Sequence, residues 1–170
     1  MMFTKILIPT DGSPLGNQAA MEGIELAQKV GAEVIGVYVA RESQNPAFDF
    51  SNIRPKNLPT AGEYKQAMME AGELFLKPLQ ESANEKGVTF SKQIYISNAP
   101  AHQIVKAATE NHCNLIFMGS NGCAGWSNIL MGSVTSKVLS TSSIPVLVYK
   151  VKKESLPPKT KVQLNVIPIP

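Results

Sequence analysis

The chain has 170 residues, of which 44% are hydrophobic and 17% are charged, and its formal net charge is +3. This length fits one domain rather than two, and the composition is typical of a soluble globular protein. No apolar run is long enough to cross a membrane, and the N-terminus lacks the apolar core and cleavage site of a secretory signal.

The positive charge belongs to the C-terminal end of the chain. Five lysines and one glutamate lie from Lys150 onward, so residues 1–149 carry a net charge of −1. A body that binds nucleic acid is therefore not indicated. We predict one domain over residues 1–150 and a basic, proline-rich, extended tail over residues 151–170. Docking of the apolar end of this tail, Val166 to Ile169, on a partner or on the body is the alternative.

The two cysteines indicate the cellular compartment. Cys113 and Cys123 lie close together in a sequence without a secretory signal. They are therefore expected to be reduced thiols of a cytoplasmic protein rather than a disulfide.

The first part of the chain predicts strand, helix and strand. Phe3 to Ile8 is a short apolar run closed by a turn sequence, which predicts the first strand. Pro14 to Val30 has an apolar face, proline in the first turn and Gly31 after its end, as in an amphipathic helix. Glu33 to Val39 predicts a second strand, and residues 41–60, with three prolines, predict a long loop.

The middle of the chain continues this alternation. Ala61 to Lys86 predicts a helix that Pro78 should kink or divide. Val88 to Ile96 predicts a third strand, and Ala101 to Asn111 predicts the next helix. The apolar side of the longer helix is expected to contain Ala67, Ala71, Leu74, Phe75 and Leu79.

The last part predicts a strand over Leu115 to Met118, a helix from Ser133 to the Thr141–Ser143 region, and a strand over Ile144 to Tyr149. Strands that alternate with helices predict an α/β fold, an open parallel sheet of five strands with helices on both faces. In such sheets ligands bind beyond the carboxyl ends of the strands. The loops after the first and fourth strands are therefore the expected site.

The most informative motif is Gly119-Ser-Asn-Gly122 followed, after nine residues, by Gly132-Ser133-Val134-Thr135. Glycines allow positive φ and close approach of the backbone to a ligand, and a helix start offers N–H groups that suit phosphate. The motif therefore predicts nucleotide binding. The alternative is structural: Asp11 would be an ordinary turn residue, and the glycines would serve only a tight connection and a helix cap.

No catalytic or metal-binding pattern accompanies the glycine motif. His102 and His112 are ten residues apart without a carboxylate cluster, so they are expected to be surface or cap residues rather than metal ligands. The chain lacks a phosphate loop with its lysine and shows no defensible Ser-His-Asp arrangement. At most a slow ATP hydrolysis, incidental to binding, is expected.

Three segments resemble the universal stress protein family. They are the glycine motif after a strand ending in Met-Gly, a first strand ending in Ile-Pro-Thr-Asp-Gly-Ser, and a closing strand with Ile-Pro-Val-Leu-Val. The similarity covers residues 2–150. It implies strand order 3-2-1-4-5, as in adenine nucleotide alpha hydrolase-like folds, and a homodimer through the last strand. The glycine motif is that of the ATP-binding branch of the family.

The resemblance also implies roles for individual residues. Asp11 would accept hydrogen bonds from the adenine or ribose side, with Pro9 and Thr10 shaping the pocket. Val39 and the backbone near Met118 would contact the adenine. The residues implied for the ribose and the phosphates are Gly119, Gly122, Gly132, Ser133, Val134 and Thr135.

Two positions depart from the family pattern. Cys123 stands where a basic residue is often found, and Asn121 stands where histidine or arginine is common. Fewer cations beside the phosphates leave the choice among ATP, ADP and AMP open, because charge-assisted hydrogen bonds are the stronger ones. Mg²⁺ bridging the phosphates would compensate.

The expected function is that of an ATP-binding protein of the stress response, whose occupied and empty states present different surfaces to a protein partner. Two alternatives stay open at this point. One is a slow ATPase or phosphotransferase that uses the same pocket. The other is a nucleotide-free, dimeric interaction module.

Overall fold

A computed structural model describes residues 2–42, 60–120 and 131–151. The described residues form a five-stranded parallel sheet in the order β3-β2-β1-β4-β5, which confirms the predicted fold. Strands and helices alternate along the chain: β1 (Lys5–Thr10), α1 (Pro14–Val30), β2 (Glu33–Ala40), α2 (Ala61–Glu85), β3 (Phe90–Ile96), α3 (Pro100–Glu110), β4 (Leu115–Gly119), α4 (Ser133–Thr141) and β5 (Val146–Tyr149). Among these helices none is long and apolar enough to cross a membrane.

The sheet is covered on both faces because successive side chains of a strand point to opposite sides. Ile6 and Ile8 of β1 belong to one apolar cluster, which α1 and α2 cover with residues such as Ile24 and Leu76. The second cluster lies on the other face, beneath α3 and α4, and includes Leu7, Val37, Ile104, Ile116 and Val138. Each central strand is therefore buried on both sides, which explains its nearly continuous apolar sequence.

β1 and β4 pair along only part of their length. β1 pairs with β2 as far as Thr10 and Tyr38, whereas its last pair with β4 is Leu7 with Ile116. Pro9, which has no N–H to donate, lies beyond that last pair and is therefore tolerated in a central strand. The two strands separate at their carboxyl ends, where the order of the sheet reverses.

Helix α1 has the predicted bounds because its signals are local. Ser13 is the N-cap, and its side chain accepts a hydrogen bond from the N–H of Gly16 at 3.0 Å. Gly31 ends the helix in the left-handed conformation, with φ of 67°, which glycine adopts without strain.

Helix α2 differs from the prediction on its buried side. Pro78, which was expected to kink or divide the helix, lies within it without dividing it, and the helix runs to Glu85. Its fully buried leucines, Leu76 and Leu79, flank the proline, so their burial offsets the cost of the lost hydrogen bond. The predicted apolar side was wrong for Ala67, which is exposed, and for Leu74, which is 67% exposed. The buried side is formed by Gly72, Leu76, Leu79 and Ala83.

Three strands start two residues later than predicted, at Lys5, Phe90 and Val146. β1 also extends beyond its predicted end, because Pro9 and Thr10 continue the pairing with β2. This extension places both residues at the carboxyl edge of the sheet. Residues 43–59, most of the predicted 41–60 loop, and residues 152–170 of the predicted tail lie outside the described residues.

Two leucines of α2 test the assignment of its buried face. Leu76→Ala should lower the free energy of unfolding by about 2–5 kcal/mol, because it removes a fully buried side chain. Leu74→Ala, two residues away in the same helix, should change it by about 0.5 kcal/mol or less. Urea denaturation followed by circular dichroism measures both values. Equal losses for the two variants would contradict the assignment.

Candidate functional site

A cavity of about 450 Å³ opens at the carboxyl edge of the sheet, where β1 and β4 separate. Ten of the eleven site residues expected from the sequence line it. Gly122, the eleventh, lies outside the described residues. The ten are Pro9, Thr10, Asp11, Val39, Met118, Gly119, Gly132, Ser133, Val134 and Thr135.

Five further lining residues were not expected from the sequence: Gly16, Val37, Arg41, Pro100 and Ile104. For two of them the sequence contains a signal that could have predicted their position. Val37 and Arg41 lie two positions before and after Val39, and alternate residues of a strand share a face. Pro100 and Ile104 lie one helical turn apart at the start of α3, but their position depends on how α3 packs on the sheet.

The loop after β1 places the carboxylate of Asp11 over the start of α1. Its Oδ1 accepts hydrogen bonds from the N–H of Ser13 at 3.0 Å and from the Ser13 hydroxyl at 2.6 Å. A Cβ at Gly16 would lie 2.5 Å from the same oxygen, so only glycine allows the carboxylate this close to the helix. Asp11 is therefore part of a turn and also lines the cavity.

Thr10 fixes the same loop from the buried side. Its hydroxyl donates to Oδ1 of Asn17 at 2.9 Å and accepts from the N–H of Gly12 at 3.1 Å. Gly12 has φ of 74°, and a Cβ there would lie 2.4 Å from the ring of Phe75. A side chain at this position would push the loop away from α2, so the shape of the cavity depends on this glycine.

The start of α4 is bound to the end of β4. The N–H of Gly132 donates to the Ser120 carbonyl at 2.7 Å, and the Thr135 hydroxyl donates to the Gly119 carbonyl at 2.9 Å. The Thr135 hydroxyl therefore donates its proton within the protein, and the main-chain N–H of Thr135 is the donor that faces the cavity. The positive φ expected in the glycine motif is absent from its described glycines, because Gly119 ends a strand and Gly132 is an extended N-cap with φ of −69°.

The four described helices differ in how their N-termini are capped. Side chains cap α1, through Ser13, and α2, through Thr60. α3 and α4 have no side-chain cap and no acidic residue in the first turn. Within the described residues, no hydrogen bond uses the N–H groups of residues 133–135. The start of α4 therefore offers the cavity free donors and a partial positive charge.

The rest of the lining divides into apolar and charged residues. Val37, Val39, Ile104 and Met118 provide an apolar surface. Asp11 and Arg41 are the ionisable side chains among the described lining residues. Across the described ranges, no group of three histidine, cysteine or acidic residues is close enough to hold a metal ion. The arrangement suits a ligand with a flat apolar part and an anionic part.

The histidines and the described cysteine lie outside the lining. His112 follows the end of α3 with φ of 55°, a conformation found mainly at helix ends and turns. Cys113 is buried in the α3–α4 cluster, and burial raises the pKa of its thiol to about 11. It is a packing residue at neutral pH. Cys123 and Trp126 lie outside the described residues.

Comparisons with known proteins agree along most of the chain. The model of the universal stress protein family matches residues 2–150. Universal stress protein MJ0531 of Methanocaldococcus jannaschii is 33% identical over 157 residues, covering 90% of this chain and 85% of that protein. Universal stress protein YxiE of Bacillus subtilis is 32% identical over 149 residues, covering 88% of this chain and 100% of that protein.

Solved structures share the fold. Protein MJ0577 of M. jannaschii is 27% identical and superposes with a TM-score of 0.73, covering 89% of this chain and 99% of that chain. A universal stress protein in complex with cAMP superposes with a TM-score of 0.62, and one from Archaeoglobus fulgidus in complex with dAMP with 0.61. Both are 19% identical to this chain. The cAMP complex covers 89% of this chain and 100% of its own. The dAMP complex covers 87% of this chain and 98% of its own.

Thr135 should stabilise the fold through its hydroxyl. Thr135→Val keeps the shape of the side chain but leaves the Gly119 carbonyl without its donor in a site that is only 5% exposed. We expect a loss of about 1–3 kcal/mol in the free energy of unfolding. Thr135→Ser, which keeps the hydroxyl, should lose much less. Urea denaturation measures both, and equal losses would show that the hydrogen bond contributes little.

Cys113 should resist thiol reagents at neutral pH. In a Cys123→Ser background, labelling at pH 8 should be slow, because the thiolate is scarce below the raised pKa of about 11 and the sulfur is buried. The rate should rise with pH toward that value, and denaturant should remove the protection. The absorbance of the coloured thiol that the reagent releases measures the rate of labelling. Native labelling at pH 8 as fast as in denaturant would contradict this environment.

Proposed function

The chain belongs to the universal stress protein family, and we propose that its cavity binds an adenine nucleotide as part of a stress-response function. The observation that carries the proposal is the uncapped start of α4, which faces a cavity that also has an apolar surface of Val37, Val39, Ile104 and Met118. A nucleotide combines these two chemistries in one molecule. Universal stress proteins of this fold that hold cAMP and dAMP support the choice of an adenine nucleotide.

The phosphate end of the proposed ligand lies at the start of α4. Main-chain N–H groups of Ser133, Val134 and Thr135 would donate to phosphate oxygens, and Gly132 lets the backbone approach them. The helix dipole adds a partial positive charge at the same place. The hydroxyl of Ser133 is exposed and would supply a further donor.

The base end lies toward β2. β2 and β4 flank β1 on opposite sides, so their ends are two strand spacings, about 10 Å, apart. A nucleoside monophosphate spans roughly this distance from base to phosphate. The apolar side chains of Val37, Val39 and Ile104 would pack on the base, and Asp11 would accept hydrogen bonds from the ribose hydroxyls.

Within this proposal the nucleotide is ATP, with ADP and AMP as weaker alternatives, and Mg²⁺ binds through the phosphates rather than through a protein cluster. The protein's role is regulatory: the nucleotide must have different affinities for two conformations if it is to change the surface shown to a protein partner. Among the described lining residues there is no histidine or lysine, and the Asp11 carboxylate accepts hydrogen bonds from the N–H and hydroxyl of Ser13, so binding rather than turnover is the function proposed.

We further propose a homodimer through β5. In the described sheet β5 is an edge strand with one side unpaired, and Leu147 on it is partly exposed. Edge strands with exposed apolar residues pair readily with a second copy.

A charge placed at Ser133 separates folding from binding. Ser133→Asp should stabilise the free protein by about 0.3–1 kcal/mol, because a carboxylate suits the start of α4. The same carboxylate should repel phosphate and abolish the thermal stabilisation by ATP, which reaches about 2.7 kcal/mol when the ligand concentration is 100 times Kd. Ser133→Asn, without the charge, should keep most of the stabilisation.

Differential scanning fluorimetry with ATP, with and without Mg²⁺, measures these effects. Adenosine, which has no phosphate, should stabilise the wild type and Ser133→Asp equally. ATP that fails to stabilise the wild type at millimolar concentration would refute nucleotide binding, and an unchanged response of Ser133→Asp would refute the phosphate position.

A further inference from the structure

Arg41 is the cationic side chain among the described residues that line the cavity. It directly follows the last residue of β2 and lines the cavity together with Val37 and Val39, which belong to the cluster beneath α3 and α4. Its side chain is exposed, and within the described residues no carboxylate lies within ion-pair distance of it. No described carboxylate therefore competes with a ligand for the guanidinium.

The backbone that carries Arg41 is fixed from two sides. The hydroxyl of Tyr64, in the first turn of α2, donates to the Arg41 carbonyl at 2.8 Å. The neighbouring Glu42 is bound to Asn98, which precedes α3, by hydrogen bonds of 3.2 and 2.9 Å. These contacts hold the end of β2 in place and engage the adjacent carboxylate. They use the Arg41 carbonyl and atoms of Glu42, so none of them depends on the side chain of Arg41.

Arg41 is far from the proposed phosphate end. The start of α4 is bound to the end of β4 through Gly119 and Ser120, two strand spacings, or about 10 Å, from the end of β2. Arg41 instead follows Val39 by two residues and lines the cavity together with the apolar Val39 and Ile104. Its position favours an interaction with the base rather than with the phosphate.

We infer that Arg41 determines base specificity by stacking its guanidinium on the face of a bound purine; this inference rests on the proposed nucleotide site. The guanidinium is planar, delocalised and weakly hydrated, so it stacks on aromatic rings, which the ammonium of lysine does less well. The base then lies between the guanidinium and the aliphatic side chains of the cavity. A purine offers more area to both surfaces than a pyrimidine does, so the site prefers purines.

Two substitutions separate stacking from charge. Arg41→Met keeps the aliphatic stem and removes the cation. Arg41→Lys keeps the positive charge but removes the planar guanidinium group. Each variant should lower the affinity for ATP about tenfold and the affinity for adenosine by the same factor. Each should also reduce the preference for ATP over CTP. Lys65→Met, which removes an exposed lysine of α2 outside the cavity lining, should leave all these affinities unchanged.

Isothermal titration calorimetry with ATP and CTP, and NMR titration with adenosine, at two salt concentrations measure the affinities. The inference is overturned if adenosine binds the variants like the wild type while ATP weakens and loses salt dependence, because Arg41 then contacts phosphate. Unchanged ATP and adenosine affinities in Arg41→Met would overturn it as well. A wild type that binds neither ATP nor adenosine would refute the nucleotide site itself, which is a different result from a wild type that binds both.

Discussion

The early end of pairing between β1 and β4 is the constraint on which the candidate site depends. Their last pair is Leu7 with Ile116, and the order of the sheet reverses between these two strands. Connections that leave β1 and β4 therefore run to opposite faces of the sheet, and neither covers the gap between the strands. The loop that holds Asp11 and the start of α4 border this gap, so residues more than 100 positions apart in sequence face one cavity.

Side-chain hydrogen bonds in this region stabilise the loops around the cavity rather than point into it. Thr10 bonds to Asn17, Ser13 caps α1, and Thr135 bonds to the end of β4. The polar groups left toward the cavity are largely main-chain N–H groups at the start of α4. Glycines lie where the backbone approaches the Asp11 carboxylate, at Gly16, and where it borders the cavity, at Gly132.

The sequence predicted what local signals or the family motif determine. Pro14 and Gly31 mark the ends of α1 without reference to the rest of the fold, and its bounds were confirmed. The buried side of α2 was predicted wrongly at Leu74, because the face of a helix that docks on a sheet is decided by tertiary packing. Ile104 and Pro100 were missed for a related reason, since their exposure to the cavity depends on how α3 lies against β2.

On the proposed binding mode, the charges of the described site would recognise a nucleotide but would not distinguish a monophosphate from a triphosphate. A helix dipole acts mainly within its first turn, so the start of α4 would bind the nearest phosphate strongly and more distant ones weakly. Arg41, the cation of the described lining, lies over β2 and so at the opposite end. On the proposed binding mode, these residues discriminate by the base and by one phosphate. A preference for the triphosphate would then have to come from Mg²⁺ or from groups beyond the described lining.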